Sequence, residues 1–417
     1  MNNKLKKVLI PLISVLLAVG VFFLGFLTRE LTYSDNQKAL LNILDKYEKY
    51  YYFEDENVID VISDAIFDKY STYLTKQEYE KILKESSGEQ EGIGVSFYKD
   101  SLQIYKVSVN SPCFDAGVKE GGIVKKIKVN GEEKTLTQQK ELTDIISKTA
   151  KGENLLLTIS YGGTSKEYTV CKNYYKKCYV SYIDESGEYL FIEENGSLKF
   201  KKVSDIGIDK SSTAYIKYEQ FSGRDDSFGS VYQLKTALEF FKQKSKKNLI
   251  FDLRDNGGGY MDVLTEVCSM LIEKEGDSQV ISIAKDKHGK AQLFQAKNNV
   301  SSSFGFEKII VLANENTASA SEVLIGALID YDKSNKVSVV LQGHQSGSET
   351  IYKTYGKGIM QTTYKNLDGS AVKVTSAKIF WPKSNISIHD VGVTDKISNK
   401  VKNSSEKDAL DYALNLI

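Results

Sequence analysis

Histidine, arginine, proline and cysteine are all scarce in this chain, and each shortage closes off a class of protein. The histidines are His288, His344 and His389 alone. With no H-E-x-x-H helix and no G-x-S-x-G turn, a zinc peptidase or a histidine-based hydrolytic triad is not expected. Arginine occurs only at Arg29, Arg224 and Arg254, so the planar fork that grips phosphates and carboxylates bidentately is nearly missing. Three prolines argue against a disordered, linker-rich chain. Cys113, Cys171, Cys178 and Cys268 contain no C-x-x-C pair, so no structural zinc site is expected. Cys171 and Cys178 either pair in an oxidising compartment or stay free, and Cys268 shares an apolar helical face with Leu264, Val267 and Leu271 and reads as core. Net charge is absent too: 55 basic residues cancel 55 acidic ones, which leaves no global field for nucleic acid.

What is present is a globular composition, 41% apolar and 26% charged over 417 residues. A single core stops growing at roughly 250–300 residues, so two or three domains are expected. The basic start MNNKLKK is followed by 20 uncharged residues, Val8 to Leu27, and as a helix that run spans about 30 Å, the thickness of a bilayer core. Lys4, Lys6 and Lys7 predict that residues 1–7 stay in the cytoplasm, that 8–27 form a transmembrane anchor, and that the rest lies outside the cytoplasm at the cell membrane. A cleaved signal peptide would want a shorter apolar stretch, about 7–15 residues, and a small-x-small cleavage site.

Residues 34–88 carry helical spacing in short amphipathic stretches: Leu40, Leu41, Leu44 and Tyr47, then Val58, Val61, Ile62 and Ile66, then Tyr79 and Ile82. Short alternating or apolar runs with about two helices predict a compact β-rich module over 89–172. Asn195-Gly196 between two strand-like runs is a hairpin signal, because a type I′ turn needs positive φ twice. From Ala214 onward strands and helices alternate: the strand AYIKYEQF, a helix over 230–244, NLIFDL, a helix over 261–272, KIIVLAN, a helix over 319–331, then VSVVLQG. That order predicts an α/β domain with a largely parallel sheet, whose sites form where strands end and helices begin.

Two such strand-to-helix turns bear chemistry. DLRDNGGGY places Gly257, Gly258 and Gly259 ahead of a helix, either as an oxyanion or anion cradle or as a tight turn needing positive φ. A Walker phosphate loop is excluded by the missing Gly-Lys-Ser/Thr ending. ANENTASASEV places Ser319 at a helix start, either as the first residue of an S-x-x-E capping box with Glu322 or as a nucleophile. With histidine scarce, lysine is the remaining base. In TYGKGIMQ, Lys357, Ile359 and Gln361 share one face if the run is a strand. To act near neutral pH, Lys357 must be pushed from about 10.4 to about 7 or 8 by burial. The S-x-x-K spacing of Ser404 and Lys407, that of penicillin-binding enzymes, lies in a charged tail.

TASASE, TYGKGIMQ and DLRDNGGG together resemble the carboxyl-terminal processing, or tail-specific, serine proteases. The resemblance extends to DKYSTYL, GIGV, SPCFDAG, AYIKYEQF and IHDVGVTD. It implies an α/β crotonase-like (ClpP/crotonase-type) core over 173–400, an inserted PDZ domain over 89–172, and a C-terminal helix over 401–417. It implies Ser319 as nucleophile, Lys357 as base, Gln361 as the residue orienting Lys357, and the N–H groups of Gly258 and Ala320 as oxyanion donors. Gly92, Ile93, Gly94 and Val95 would form the loop that takes a substrate's terminal carboxylate. The implied partners are a protein or peptide with a free, apolar C terminus, a second copy in a homodimer and an activating protein. No cofactor or metal is implied. Three departures stand out: Asn256-Gly257-Gly258-Gly259 replaces the family's Asn-Pro-Gly-Gly, 343–355 is longer, and 178–212 is enlarged. A peptide-binding scaffold with a silent or gated protease core is the alternative reading.

Overall fold

Four consecutive parallel pairings in one sheet explain where the chemistry falls. The computed structural model describes residues 33–50, 58–225, 227–297, 304–404 and 409–417. The anchor expected at 8–27, with the cytoplasmic segment 1–7, lies outside these. Among the described residues no helix is long and apolar enough to cross a membrane. The chain divides into two units, Met1–Ala65 and Ile66–Ile417. The first contains the amphipathic helix Asp35–Tyr50.

In the second unit an eight-stranded sheet runs in the order Ser197–Ser204, Gly187–Glu194, Val180–Asp184, Thr213–Tyr218, Asn248–Asp252, Lys308–Ala313, Val337–Gln342, Val401–Ser404. The first four strands pair antiparallel and the last five parallel. Asn195 and Gly196 form the expected turn, at φ 52° and 73°, and close the hairpin in which Glu194 opposes Ser197. The parallel strands are apolar on both faces because both are covered. Leu249, Phe251, Ile309, Val311, Val339 and Leu341 pack with the helices Ser230–Gln243, Met261–Leu271 and Ala320–Tyr331. The alternate residues Ile250, Ile310, Leu312 and Val340 pack with Ala409 and Ala413 of the terminal helix Ala409–Asn415. Residues 401–417 are therefore not helical throughout, since Val401–Ser404 is the parallel edge strand of the sheet.

A second sheet holds Thr72–Leu74, Ala371–Phe380, Ser278–Lys285 and Ala291–Lys297, with Ile359–Lys365 on Ala371–Phe380. Residues 89–172 have a core of their own around Ile104, Val124, Ile127, Leu142, Leu155 and Leu157, built on a four-stranded antiparallel sheet and the helix Gln139–Lys148. All four cysteines are free, Cys171 and Cys178 included, so the pairing alternative falls.

Candidate active site

The two glycine- and serine-bearing turns leave neighbouring parallel strands and are stitched to each other. Buried Asn256 donates its amide N–H to the Tyr218 carbonyl at 2.7 Å, and its own carbonyl accepts from Ala318 N at 3.0 Å and Ser321 Oγ at 3.0 Å. Thr317 Oγ1 donates to the Leu253 carbonyl at 2.8 Å. Gly258 is wedged into this join. A Cβ there would lie 2.7 Å from Ser319 Cβ and 2.8 Å from Ala320 N, and its φ is +96°. The sequence reading of a tight turn needing positive φ is met at Gly258.

Ser319 sits at φ 57°, ψ −117°, a left-handed conformation that costs a non-glycine residue about 1–3 kcal/mol and recurs at functional sites. It immediately precedes the helix Ala320–Tyr331, so the positive end of the helix dipole lies beside its side chain.

Lys357 comes from an irregular segment ahead of the strand Ile359–Lys365, which carries a bulge between Met360 and Gln361. The expected alternation of Lys357, Ile359 and Gln361 on one strand face is therefore broken. What places the lysine is instead Glu322. Its wholly buried carboxylate accepts from Ser319 N at 2.8 Å, Lys357 N at 2.9 Å, Gly356 N at 2.8 Å and Thr354 Oγ1 at 2.5 Å. Burial pushes the Glu322 carboxyl up, and these hydrogen bonds oppose it. On the opposite flank, Asp390 N donates to the Gly356 carbonyl at 2.9 Å, and a Cβ on Gly358 would meet His389 N at 2.6 Å. Burial, then repulsion from Lys373, pushes the half-buried Lys357 amine below its ordinary value, while Tyr355, Asp68 and Glu322 pull the other way.

The structure brings Ser319, Lys357, Gln361 and Gly259 together around two adjoining cavities of about 750 and 740 Å3. The first is also lined by Val323, Ile359, Met360, Ile379 and Phe294. The second runs to Ser96, Tyr105 and Lys106 of the β-rich module and also contains Gly258, where Lys106 and Glu219 form an ion pair across the join. Two sequence-assigned groups are otherwise engaged. Gly258 N donates to Asn256 Oδ1 at 2.9 Å, and Gln361 Nε2 donates to Thr375 Oγ1 at 3.5 Å rather than meeting Lys357. At the module, Gly94 is held at φ 78°, with a would-be Cβ 2.0 Å from Ser111 Cβ. Ile93 is buried, its carbonyl accepting from Cys113 N at 3.0 Å. Ser404 is buried at the end of the edge strand, and Lys407 lies outside the described residues. Among the described residues, no group of three His, Cys, Asp or Glu side chains is placed to hold a metal ion.

Ser319, in a left-handed turn at a helix start, and the partly desolvated Lys357 line one cleft of the α/β core. Residues 212–398 match Peptidase family S41. The chain is 31% identical over 340 residues to a "Probable CtpA-like serine protease" of Staphylococcus saprophyticus, covering 81% of this chain and 58% of that one. It is 29% identical over 344 residues to a namesake from Staphylococcus aureus, covering 82% and 59%. The resemblance to the carboxyl-terminal processing serine proteases is shown by these matches, and the chain spans just under three-fifths of the length of the curated relatives. Solved structures it aligns with include a photosystem II D1 C-terminal processing protease, at TM-score 0.48 and 18% identity over 85% of each chain. Another is a putative S41 protease from Bacteroides fragilis, at TM-score 0.47 and 16% identity over 87% of this chain and 94% of that one.

Proposed function

We propose that this chain is a membrane-anchored endopeptidase working outside the cytoplasm, which takes protein substrates by their C-terminal tails and cuts them with Ser319, Lys357 and Gln361. The observation that carries the reading is the Glu322 carboxylate, which binds the backbones of Ser319 and Lys357 at once and sets both at the mouth of one cleft. In the reaction, neutral Lys357 Nζ takes the Ser319 hydroxyl proton as Oγ attacks the scissile carbonyl. The Ala320 N–H at the helix start, with an N–H of the Gly257–Gly259 turn, receives the oxyanion. As the C–N bond breaks, the Lys357 ammonium protonates the leaving amine, and water then hydrolyses the acyl-Ser319 ester by the same proton route. Gln361 would turn from Thr375 to orient Lys357, and Gly258 from Asn256, once substrate is bound.

The module over 89–172 is read as a PDZ domain. A tail adding to its strand Val95–Phe97 would place its carboxylate at Gly92–Val95, and the second cavity offers the way from that module to Ser319. The anchor reading rests on the uncharged run from Val8 to Leu27.

The test uses the full chain in detergent and an unfolded reporter with an apolar C terminus. Wild type is expected to cut, and Ser319→Ala and Lys357→Ala to remain folded and fail. Equal inertness of all three, with the tail still bound, would sink the endopeptidase in favour of a scaffold, a reading that the engaged Gly258 N–H and Gln361 amide keep in view. A fluorophosphonate that labels wild type at Ser319 would exclude the scaffold. Resistance of the protein to carbonate extraction from membranes, lost when residues 1–30 are removed, checks the anchor.

A further inference from the structure

The segment 68–74, DKYSTYL, has no part in the mechanism above, yet the fold delivers it to the base. Thr72–Leu74 pairs antiparallel with Ala371–Phe380, setting Thr72 opposite Lys373 and Leu74 opposite Ala371. Ser71 Oγ accepts from Thr375 N at 2.9 Å, and Asp68 Oδ1 accepts from Tyr70 N at 3.0 Å. The turn so fixed carries the half-buried Tyr70 ring to Lys357, whose Nζ lies 4.9 Å from the ring centroid. Among the described residues that ammonium makes no ion pair and donates no hydrogen bond. Lys69 Nζ is likewise 4.9 Å from the same ring and 5.8 Å from that of Tyr355.

A ring quadrupole attracts an ammonium but not a neutral amine. We propose that Tyr70 is a positioning residue that holds Lys357 in its protonated, resting place and thereby sets the pH above which the base is released to Ser319. The inference rests on Lys357 being the base. Around Lys357, Lys373 on the neighbouring strand and burial favour the neutral amine. Asp68 on the Tyr70 turn, Tyr355 two residues along its own segment, and Glu322 on the nucleophile's helix favour the ammonium. Tyr70 joins the second group, and without its ring the balance moves towards the neutral base. Lys69, drawn to the same ring, competes for it.

The experiment follows the rate of Ser319 labelling by a fluorophosphonate across pH in the full chain, for wild type, Tyr70→Phe, Tyr70→Leu and Lys357→Ala. In parallel, competitive acetylation of Lys357 read by mass spectrometry reports its proton directly. Tyr70→Phe keeps a ring and is expected to track wild type. Tyr70→Leu is expected to move the acidic limb and the acetylation midpoint to lower pH by about 0.5–1 unit. Pentafluorophenylalanine in place of Tyr70 preserves shape while reversing the quadrupole, and is expected to move both the same way, which keeps the test alive if Tyr70→Leu does not fold. Midpoints that coincide for wild type and the fluorinated ring, with Lys357→Ala dead, overturn the role of Tyr70. A Lys357→Ala variant labelled at the wild-type rate overturns the base assignment instead, whatever the Tyr70 variants do.

Discussion

Glu322 is the residue on which the rest of the site leans. It was legible in the sequence only as the fourth member of a capping box, and the structure keeps that half, since Ser319 N still donates to it. Its other three donors come from 354–357, more than thirty positions away, a partnership no local spacing announces. Glu322→Gln retains the shape but turns one acceptor oxygen into a donor facing N–H groups. We expect kcat/KM to fall by at least about tenfold with KM little changed, and unfolding free energy to drop by about 1.5–3 kcal/mol. Steady-state kinetics beside urea unfolding check it, and an unaltered kcat would refute it. Lys357 gives a prediction in pH. The folded chain holds this amine below its ordinary 10.5, so between the folded value and 10.5 the unfolded chain binds the proton more tightly. Its contribution to stability is present above 10.5 and lost as pH falls through the folded value. The urea midpoint of wild type relative to Lys357→Met should therefore rise as pH is raised from about 7 towards 10.5; a flat or falling difference would contradict it.

Among the elements, the parallel strands and the helices that follow them were readable, because burial on both faces leaves uninterrupted apolar runs such as 249–251 and 309–313. The second sheet was not. Its short first strand, Thr72–Leu74, finds its partner about three hundred residues later, and the bulge at Met360 and Gln361 depends on that sheet's register. Ser319, Lys357 and the glycine turn were marked in the sequence as candidates by their places at strand and helix ends, and it was the resemblance rather than those places that gave them roles. Tyr70 and Asn256 carried no such mark. The turns answer to backbone geometry, so Gly258→Ala should be severe. Its Cβ would strike the Ala318 carbonyl at 2.7 Å at a φ of +96°, costing about 1–3 kcal/mol and abolishing labelling of Ser319. Calorimetry and probe labelling read the two effects, and a Gly258→Ala variant with wild-type labelling would mean the turn can reopen without touching the serine.

For the whole molecule, the last strand and helix close the sheet rather than hang from it. Val401 is buried, and Ala409 and Ala413 cover Ile310, Leu312 and Val340. Ending the chain after residue 400 would uncover that face and the edge of Val337–Gln342, a template for aggregation. We expect a loss of at least about 3 kcal/mol, on the scale of one or two large apolar side chains exposed, seen as a lower denaturant midpoint and a shift to aggregates on size exclusion. A soluble, equally stable truncation would show the sheet to be complete without it.

Between the serine's helix and the lysine lies the hairpin of His344–Ser346 with Glu349–Ile351. Because a carboxylate on the helix grips residues 354–357 directly, the distance between Ser319 and Lys357 does not depend on how long that hairpin is. The connection is insulated from the cleft, free to lengthen, shorten or acquire contacts with other proteins while these two side chains keep their spacing.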